Sequence, residues 1–422
     1  MSAHTLAEKI LMRASGAASV RAGEIVVAKV DLAMMHDSGG PRRVAPYLQQ
    51  LEAKVWDPEK VVLVSDHYVP AVDPQSAAIL SLTRRWAHEN GITRFHDMQG
   101  ICHVVLQEYA HLRPGMLVVG GDSHSPSGGA VGAFMVGIGA TEMAGVLATG
   151  EIWLRVPETV RVSWTGQLAA GVCAKDMMLA LCRDLGQNND YKAIEYCGSA
   201  VTALPMAERF VLCNMSAELG AKTGMIAPDE KTLAEIRANG GDIADSALQW
   251  RSDENAAIER VVEFDAGRLA PQVAAPHSPG NSLAVDQVGR VRIDQAYIGA
   301  CTGAKLTDLQ MAAQVLRGKK VAPHVRLLVA PASLRTTQLA AADGTLATLT
   351  AAGAILLPTG CGACAGYGAG VLAEGEVCIS STARNFKGRM GHATSQVYLG
   401  SPFTVAASAV TGHVTDPRAL LH

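Results

Sequence analysis

The sequence predicts an α/β protein built from parallel strands and crossover helices, and three observations predict it. Short apolar runs end abruptly in polar residues, as where Val61–Ser65 meets Asp66-His67 and where 116–121 meets Asp122-Ser123-His124. Strands covered on both faces read as such continuous runs, and polar residues just past their ends are where open α/β sheets place ligands. Glycine is abundant, at 42 residues, while aromatics make up only 5%, a balance suited to small-residue packing and tight turns. Finally, 422 residues at 49% hydrophobic exceed what one ordinary core fills, so two or three packed domains are expected.

In chain order, 1–16 reads as a short amphipathic helix through Leu6, Ile10 and Leu11. Residues 1–160 alternate strands and helices and form the expected first α/β domain, which bears the His, Asp and Ser loops. Within it, the Gly- and Ala-rich stretch 128–150 reads as a helix packed tightly against backbone. A middle α/β domain, 161–284, opens near the strand 159–164 and includes a helix over 174–185. The stretch 270–286, with Pro271, Pro276 and Pro279, is the expected linker. The third α/β domain, 285–422, restarts with a strand over 291–298 that ends at Cys301, followed by βα units through 325–330 and 353–358. No fixed-period repeat or low-complexity tract interrupts the pattern.

Charge excludes several functions. The formal net charge is −3 with Lys and Arg scattered, so no basic stripe supports nucleic-acid or membrane-surface binding. No apolar run is long enough to span a bilayer, and Glu8, Lys9 and Arg13 interrupt what a signal peptide would keep apolar. A cytoplasmic location is expected, where thiols stay reduced. Nine cysteines there call for a metal, a catalytic thiol or plain core packing.

Three of the nine share one setting. Cys361 and Cys364 form C-x-x-C within Thr359-Gly-Cys-Gly-Ala-Cys-Ala-Gly366, and Cys301 stands in Tyr297-Ile-Gly-Ala-Cys-Thr-Gly303. All three follow apolar strands among glycines, which let backbone approach a bulky group. Electron-transfer clusters take four thiolates; three would leave one iron open as a Lewis acid. A zinc site would need a fourth ligand such as His392, and a thioredoxin-like redox pair would need only Cys361 and Cys364. The other cysteines, at 102, 173, 182, 197, 213 and 378, read as small buried hydrophobes.

Further motifs carry a family resemblance that runs nearly end to end. They include Thr5-Leu-Ala-Glu-Lys-Ile10, Ser65-Asp-His67, Gly100-Ile-Cys-His103, Gly121-Asp-Ser-His-Ser125, Glu195-Tyr196 and Cys213-Asn-Met-Ser-Ala-Glu218. Cys301-Thr302, Gly360-Cys-Gly-Ala-Cys364 and Arg384-Asn-Phe-Lys-Gly-Arg-Met-Gly391 complete the series. In this order they make the chain resemble the aconitase superfamily, at the length of its separate large subunits of the 3-isopropylmalate dehydratase and homoaconitase type.

The resemblance implies three α/β domains packed around a [4Fe–4S] cluster held by Cys301, Cys361 and Cys364. It implies a fourth, swivelling domain on a separate small subunit, which also carries the serine base that removes the carbon-bound proton. The implied reaction moves water across a 2-hydroxy di- or tricarboxylate. His67, His103 and His124, with Asp66, Asp122 and Glu218, resemble the family's catalytic His–carboxylate pairs. Arg384, Arg389, Ser123, Asn214 and His36 match positions that line the substrate and cluster pocket. Taken singly, an Asp-His after a strand is more often a turn or helix cap, two arginines five apart are an ordinary surface pair, and Glu195 serves the fold.

Three positions depart from the resemblance. Gly303 and Lys305 stand where Asn and Arg are usual after the first cysteine, and Ala383 stands where Asn usually precedes Arg384. They point to a paralogue with altered substrate, such as a methylated malate, with homoaconitate or aconitate as further alternatives. A cluster-bearing RNA-binding or regulatory relative is the other class, which the absent basic stripe argues against.

Overall fold

The structure, a computed structural model, describes residues 3–421; Met1 and Ser2 of the expected first helix lie outside them. The helix itself is Leu6–Ser15, started by a capping box in which Thr5 Oγ accepts the Glu8 N–H and Glu8 returns to the Thr5 N–H. That exchange satisfies two backbone donors the first turn cannot pair internally.

The first region pairs β1 (Ile25–Lys29), β2 (Leu32–His36), β3 (Val61–Ser65), β4 (Arg94–Asp97), β5 (Leu117–Gly120), β6 (Phe134–Gly137) and β7 (Glu151–Arg155). Five of these form an all-parallel sheet in the order β4-β3-β2-β5-β6. Its central strands β2, β3 and β5 are buried along their whole length, which is why they read as unbroken apolar runs. β1 and β7 form a separate antiparallel ribbon. The stretch 128–150 is not one helix: a short 3₁₀ segment, Ser125–Val131, leads into β6 and then the helix Ala140–Thr149. Gly132, at φ +78°, ends the 3₁₀ segment, a conformation that favours glycine and breaks the run.

A second parallel sheet, ordered β10-β9-β8-β11, contains β8 (Glu158–Thr165), β9 (Lys192–Cys197), β10 (Thr223–Met225) and β11 (Arg260–Asp265). The expected helix over 174–185 is Ala174–Asp184, buried along most of its length. Glu195 ties this sheet to its surroundings, accepting from Arg161 (3.0 Å) and from the Ser252 hydroxyl.

The stretch expected to be a linker is part of the third sheet. β12 (Gln272–Ala274) and β13 (Ser282–Ala284) form a hairpin, and β12 pairs antiparallel with β18 (Gln396–Gly400). The prolines sit at the hairpin's start and in its loop, where no ladder N–H is needed, so a proline-rich segment passes for a linker. The remaining strands β14 (Gln295–Ile298), β15 (Arg326–Val329), β16 (Ile355–Leu356) and β17 (Val377–Ser380) give the order β13-β12-β18-β17-β14-β15-β16, parallel from β18 onward. One continuous apolar core joins the second and third regions, running from Trp164 and Met177 to Ile298 and Leu399. Two smaller cores cover the two faces of the first sheet. No helix among the described residues is long and apolar enough to cross a membrane.

Candidate active site

The strands of the first and third sheets deliver their polar residues from their C-terminal ends. His36 is the last residue of β2, Asp66 and His67 follow β3, and Asp122, Ser123 and His124 follow β5. Cys301 comes three residues after β14, Cys361 begins the turn beyond β16, and Arg384 follows β17. The ligand atoms of His36, Asp37, Asp66 and His67 lie within 4.8 Å of one another, as do those of His103, Asp122 and His124.

The first pair is short and buried. His67 Nδ1 lies 2.6 Å from Asp66 Oδ1, while the other oxygen of Asp66 accepts the Cys102 N–H at 2.7 Å. Burial alone would raise Asp66 and lower His67, but their mutual attraction prevails: Asp66 is held at about 2 and His67 is raised to about 9. His36 stacks on His67 with ring centroids 4.2 Å apart. Its Nδ1 accepts the Gly39 N–H, so its Nε2–H donates to the Gly121 carbonyl at 3.1 Å. Burial and the neighbouring His67 push His36 down to about 4.

Asp37, absent from the expected site, accepts N–H groups from Ser38, His67 and Tyr68 and so shapes the turn that presents His67. Burial and Asp66 raise its carboxyl to about 6. Its position is the clue, since an Asp directly after a strand's last residue is placed to cap a neighbouring turn.

The second group is a chain of charges. Asp122 Oδ1 receives His103 Nε2 at 2.8 Å and the His124 backbone N–H at 2.8 Å. Burial would raise Asp122, but the bonds to His103 and His124 hold it well below the usual carboxylate range. His124 Nε2 lies 3.1 Å from Glu218 Oε1, which also accepts Arg384 Nε at 2.8 Å. Arg384 reaches on to Ser123 Oγ, again at 2.8 Å. Glu218 comes from the 3₁₀ turn Met215–Leu219 beside the second sheet, so all three sheet regions contribute to this chain.

The cysteines sit against both groups. Cys361 donates its backbone N–H to the Asp66 carbonyl at 2.9 Å, and Arg389 Nε donates to the Cys364 carbonyl at 2.8 Å. Asn214, the last residue of the helix Met206–Asn214, donates its amide N–H to Cys301 Sγ at 3.3 Å. Burial and the Cys364 thiol push Cys301 up to about 12, and burial, Asp66 and the other two thiols raise Cys361. His392, the fourth ligand a zinc site would want, is exposed and bonds Thr394. Of the remaining cysteines, 102, 173, 182, 213 and 378 are buried and Cys197 is partly so.

Two cavities open on this arrangement. One, of about 390 Å³, is lined by Asp122, Ser123 and Arg384 and extends to Glu142 and Lys222. The other, of about 360 Å³, is lined by His67, Tyr68, Arg42, Gly362 and Tyr367. The first sets the Arg384 guanidinium beside Asp122 and Ser123, and the second has the His67 imidazole in its wall.

The model of the aconitase family (aconitate hydratase) matches residues 8–291 and 286–412. The chain is 47% identical, over 99% of each, to the 3-isopropylmalate dehydratase large subunit 1 of Methanopyrus kandleri. It is 44% identical, again over 99% of each, to the probable 3-isopropylmalate dehydratase large subunit of Methanothermobacter thermautotrophicus. It is also 42% identical, over 98% of this chain and 97% of the relative, to that organism's probable methanogen homoaconitase large subunit. Among solved structures, the holo-form of Thermococcus kodakaraensis aconitase X superposes with a TM-score of 0.51 at 13% identity, covering 87% of this chain and 88% of that one, a likeness of fold alone. On its sequence from end to end, this chain belongs to the aconitase family.

Proposed function

We propose that the chain is the large, cluster-bearing subunit of a hydro-lyase that moves water across a 2-hydroxy di- or tricarboxylate, of the 3-isopropylmalate dehydratase type. The observation that carries it is the meeting of three thiols, two His–carboxylate groups and Arg384 at the strand ends of two sheets.

The residues fit a [4Fe–4S] cluster held by Cys301, Cys361 and Cys364. Beside the thiols the Tyr297 hydroxyl is buried without a hydrogen-bond partner, as expected of a donor that faces a sulfide-bearing group, and Asn214 gives its amide N–H to Cys301 Sγ. Gly360 adopts φ +144°, and a Cβ there would lie 2.8 Å from the Asp66 carbonyl oxygen, so the loop before Cys361 closes on the first sheet only as glycine. When bound, the cluster supplies Lewis acidity at the one iron that three cysteines leave without a protein ligand.

The chain's own residues supply binding and proton transfer. The fork of Arg384, fixed by Glu218 and Ser123, holds one substrate carboxylate, and Arg389 serves a second. His67 is an imidazolium at neutral pH and is placed to protonate the departing hydroxyl. His36, neutral on one face of that ring, restricts its rotation without competing for the proton. His103 with Asp122, and His124 with Glu218, form the hydrogen-bonded chain that leads to Arg384. The base for the carbon-bound proton comes from a small subunit bearing the swivelling domain, and the branch of the diacid is read largely by that partner.

Anaerobic reconstitution of the chain with its small subunit, followed by assay on 3-isopropylmalate and a panel of methylated malates and homoaconitate, tests the proposal. A brown protein that hydrates or dehydrates one of these, and loses colour and activity on Cys301→Ser, supports it. A colourless protein holding stoichiometric zinc sinks it.

A further inference from the structure

Most buried cations of this chain sit against a carboxylate. Arg209 bonds both oxygens of Asp229, at 2.8 and 2.6 Å, and Lys305 bonds Asp308 at 2.7 Å. Lys175, in the helix Ala174–Asp184, does not. Its side chain is only 1% exposed, and its Nζ donates to the carbonyls of Thr382 (2.6 Å) and Ser381 (3.1 Å), with Thr302 Oγ at 3.5 Å. Among the described residues no carboxylate lies within ion-pair distance of it. A buried ammonium solvated only by neutral oxygens is a costly arrangement unless an anion is near.

The three oxygens locate that anion. Thr302 follows Cys301 directly, and Ser381 and Thr382 precede Arg384, so Nζ sits under both the loop of the first cysteine and the loop of the substrate arginine. Thr302 Oγ also donates to the Ser381 carbonyl at 3.1 Å, which joins the two loops through the same point. Burial disfavours the charge on Lys175, whereas the thiols of Cys301, Cys173 and Cys364, and after them the Glu218 carboxylate, favour it. An oxidised [4Fe–4S] core is dicationic and three thiolates carry three negative charges. The assembled group is therefore a net monoanion, and one ammonium balances it.

We propose that Lys175 is the counter-ion of the cluster: a fixed buried cation that neutralises the cluster and its thiolates and holds the Cys301 and Arg384 loops together around it. This rests on the assignment of Cys301, Cys361 and Cys364 as the cluster's ligands. Lys175 touches neither substrate nor thiol and is a positioning residue. Its charge favours the reduced cluster, which carries one electron more, and so raises the potential at which an added reductant such as dithionite delivers that electron.

The test compares Lys175→Met, Lys175→Gln and Lys175→Arg in the full chain, each as apo- and cluster-loaded protein. Removing an unpaired buried charge predicts a sign inversion. The apo Met and Gln variants melt at or above the wild-type apo temperature, while their loaded forms lose most of the stabilisation and iron retention that loading gives the wild type. Their midpoint potential, followed by electron paramagnetic resonance during reductive titration, moves to more negative values, and Lys175→Arg stays near wild type. Apo variants that melt well below wild type, with the loaded potential unchanged, would mean a plain structural lysine and overturn the proposal. So would Arg and Met variants with equal shifts, since charge would then be irrelevant. If the Met variant does not fold, Gln, which keeps an amide donor for the carbonyls, carries the comparison. Failure of the wild-type chain itself to load iron would instead overturn the ligand assignment.

Discussion

His36 and His67 lie face to face, yet only one of them is charged at neutral pH, and what each ring meets at its edges decides which. His36 has both nitrogens taken by backbone, the Gly39 N–H and the Gly121 carbonyl, so protonation would break a bond in a buried site. His67 has Asp66 at 2.6 Å, worth more than its desolvation. Because the pKa of His67 rises from 6.5 to about 9, its stabilising contribution is complete below pH about 6.5 and is lost as pH climbs through about 9. Asp66→Asn removes the raising charge and lets burial lower the ring. The alkaline limb of the rate profile should then move toward neutrality, with kcat at pH 8 falling about tenfold or more. An unmoved limb would exclude His67 as the proton donor. Arg384→Lys keeps a charge but loses the fork that spans Ser123 and Glu218. That substitution should cost about 2–3 kcal/mol of transition-state binding, or roughly 30- to 150-fold in kcat/KM, measured as an initial-rate series over substrate concentration.

At the scale of elements, the departure at Gly303 has a packing cause. A Cβ on Gly303 would lie 2.1 Å from Ser381 Oγ and 2.3 Å from its Cβ, and Ser381 Oγ accepts the Gly299 N–H at 3.0 Å. The loops after β14 and β17 therefore interlock through a missing side chain at 303 and a serine at 381. Gly303→Ala should destabilise by about 1–3 kcal/mol, and the double variant with Ser381→Gly should recover part of that in a denaturant melt. Gly360→Ala should displace Cys361 from the Asp66 carbonyl and lower the iron bound per chain. The strands that feed the site were legible in the sequence, since β3, β5 and β14 are apolar runs with chemistry at their ends. The hairpin over 272–284 was not, because three prolines look alike in a linker and at hairpin positions that need no N–H. Nor was Lys175 legible: residues 174–182 are all buried in the fold whatever their polarity, so the sequence pattern marks no exposed face for a lysine, and only its neighbours from 302, 381 and 382 disclose the task.

For the whole molecule, Glu218 is the junction. It belongs to the segment beside the second sheet, yet it binds His124 from the first and Arg384 from the third. Breaking a buried charged contact of this kind costs about 3–5 kcal/mol, so Glu218→Ala should lower the melting temperature as well as turnover. Full stability with activity lost would show Glu218 to act on the substrate alone. The chain by itself, even with a full cluster, should be inactive, and adding the small subunit should restore turnover; activity without it would remove the need for a partner's base. The convergence of three sheets on one site also governs how the protein is made. His36, Asp66, His67 and Asp122 leave the ribosome early and can settle into the first sheet while synthesis continues. The cysteines at 301, 361 and 364, proposed to hold the cluster, emerge only in the last third of the chain, so on that proposal metal delivery has to wait for an almost finished polypeptide whose acid-base half is already folded.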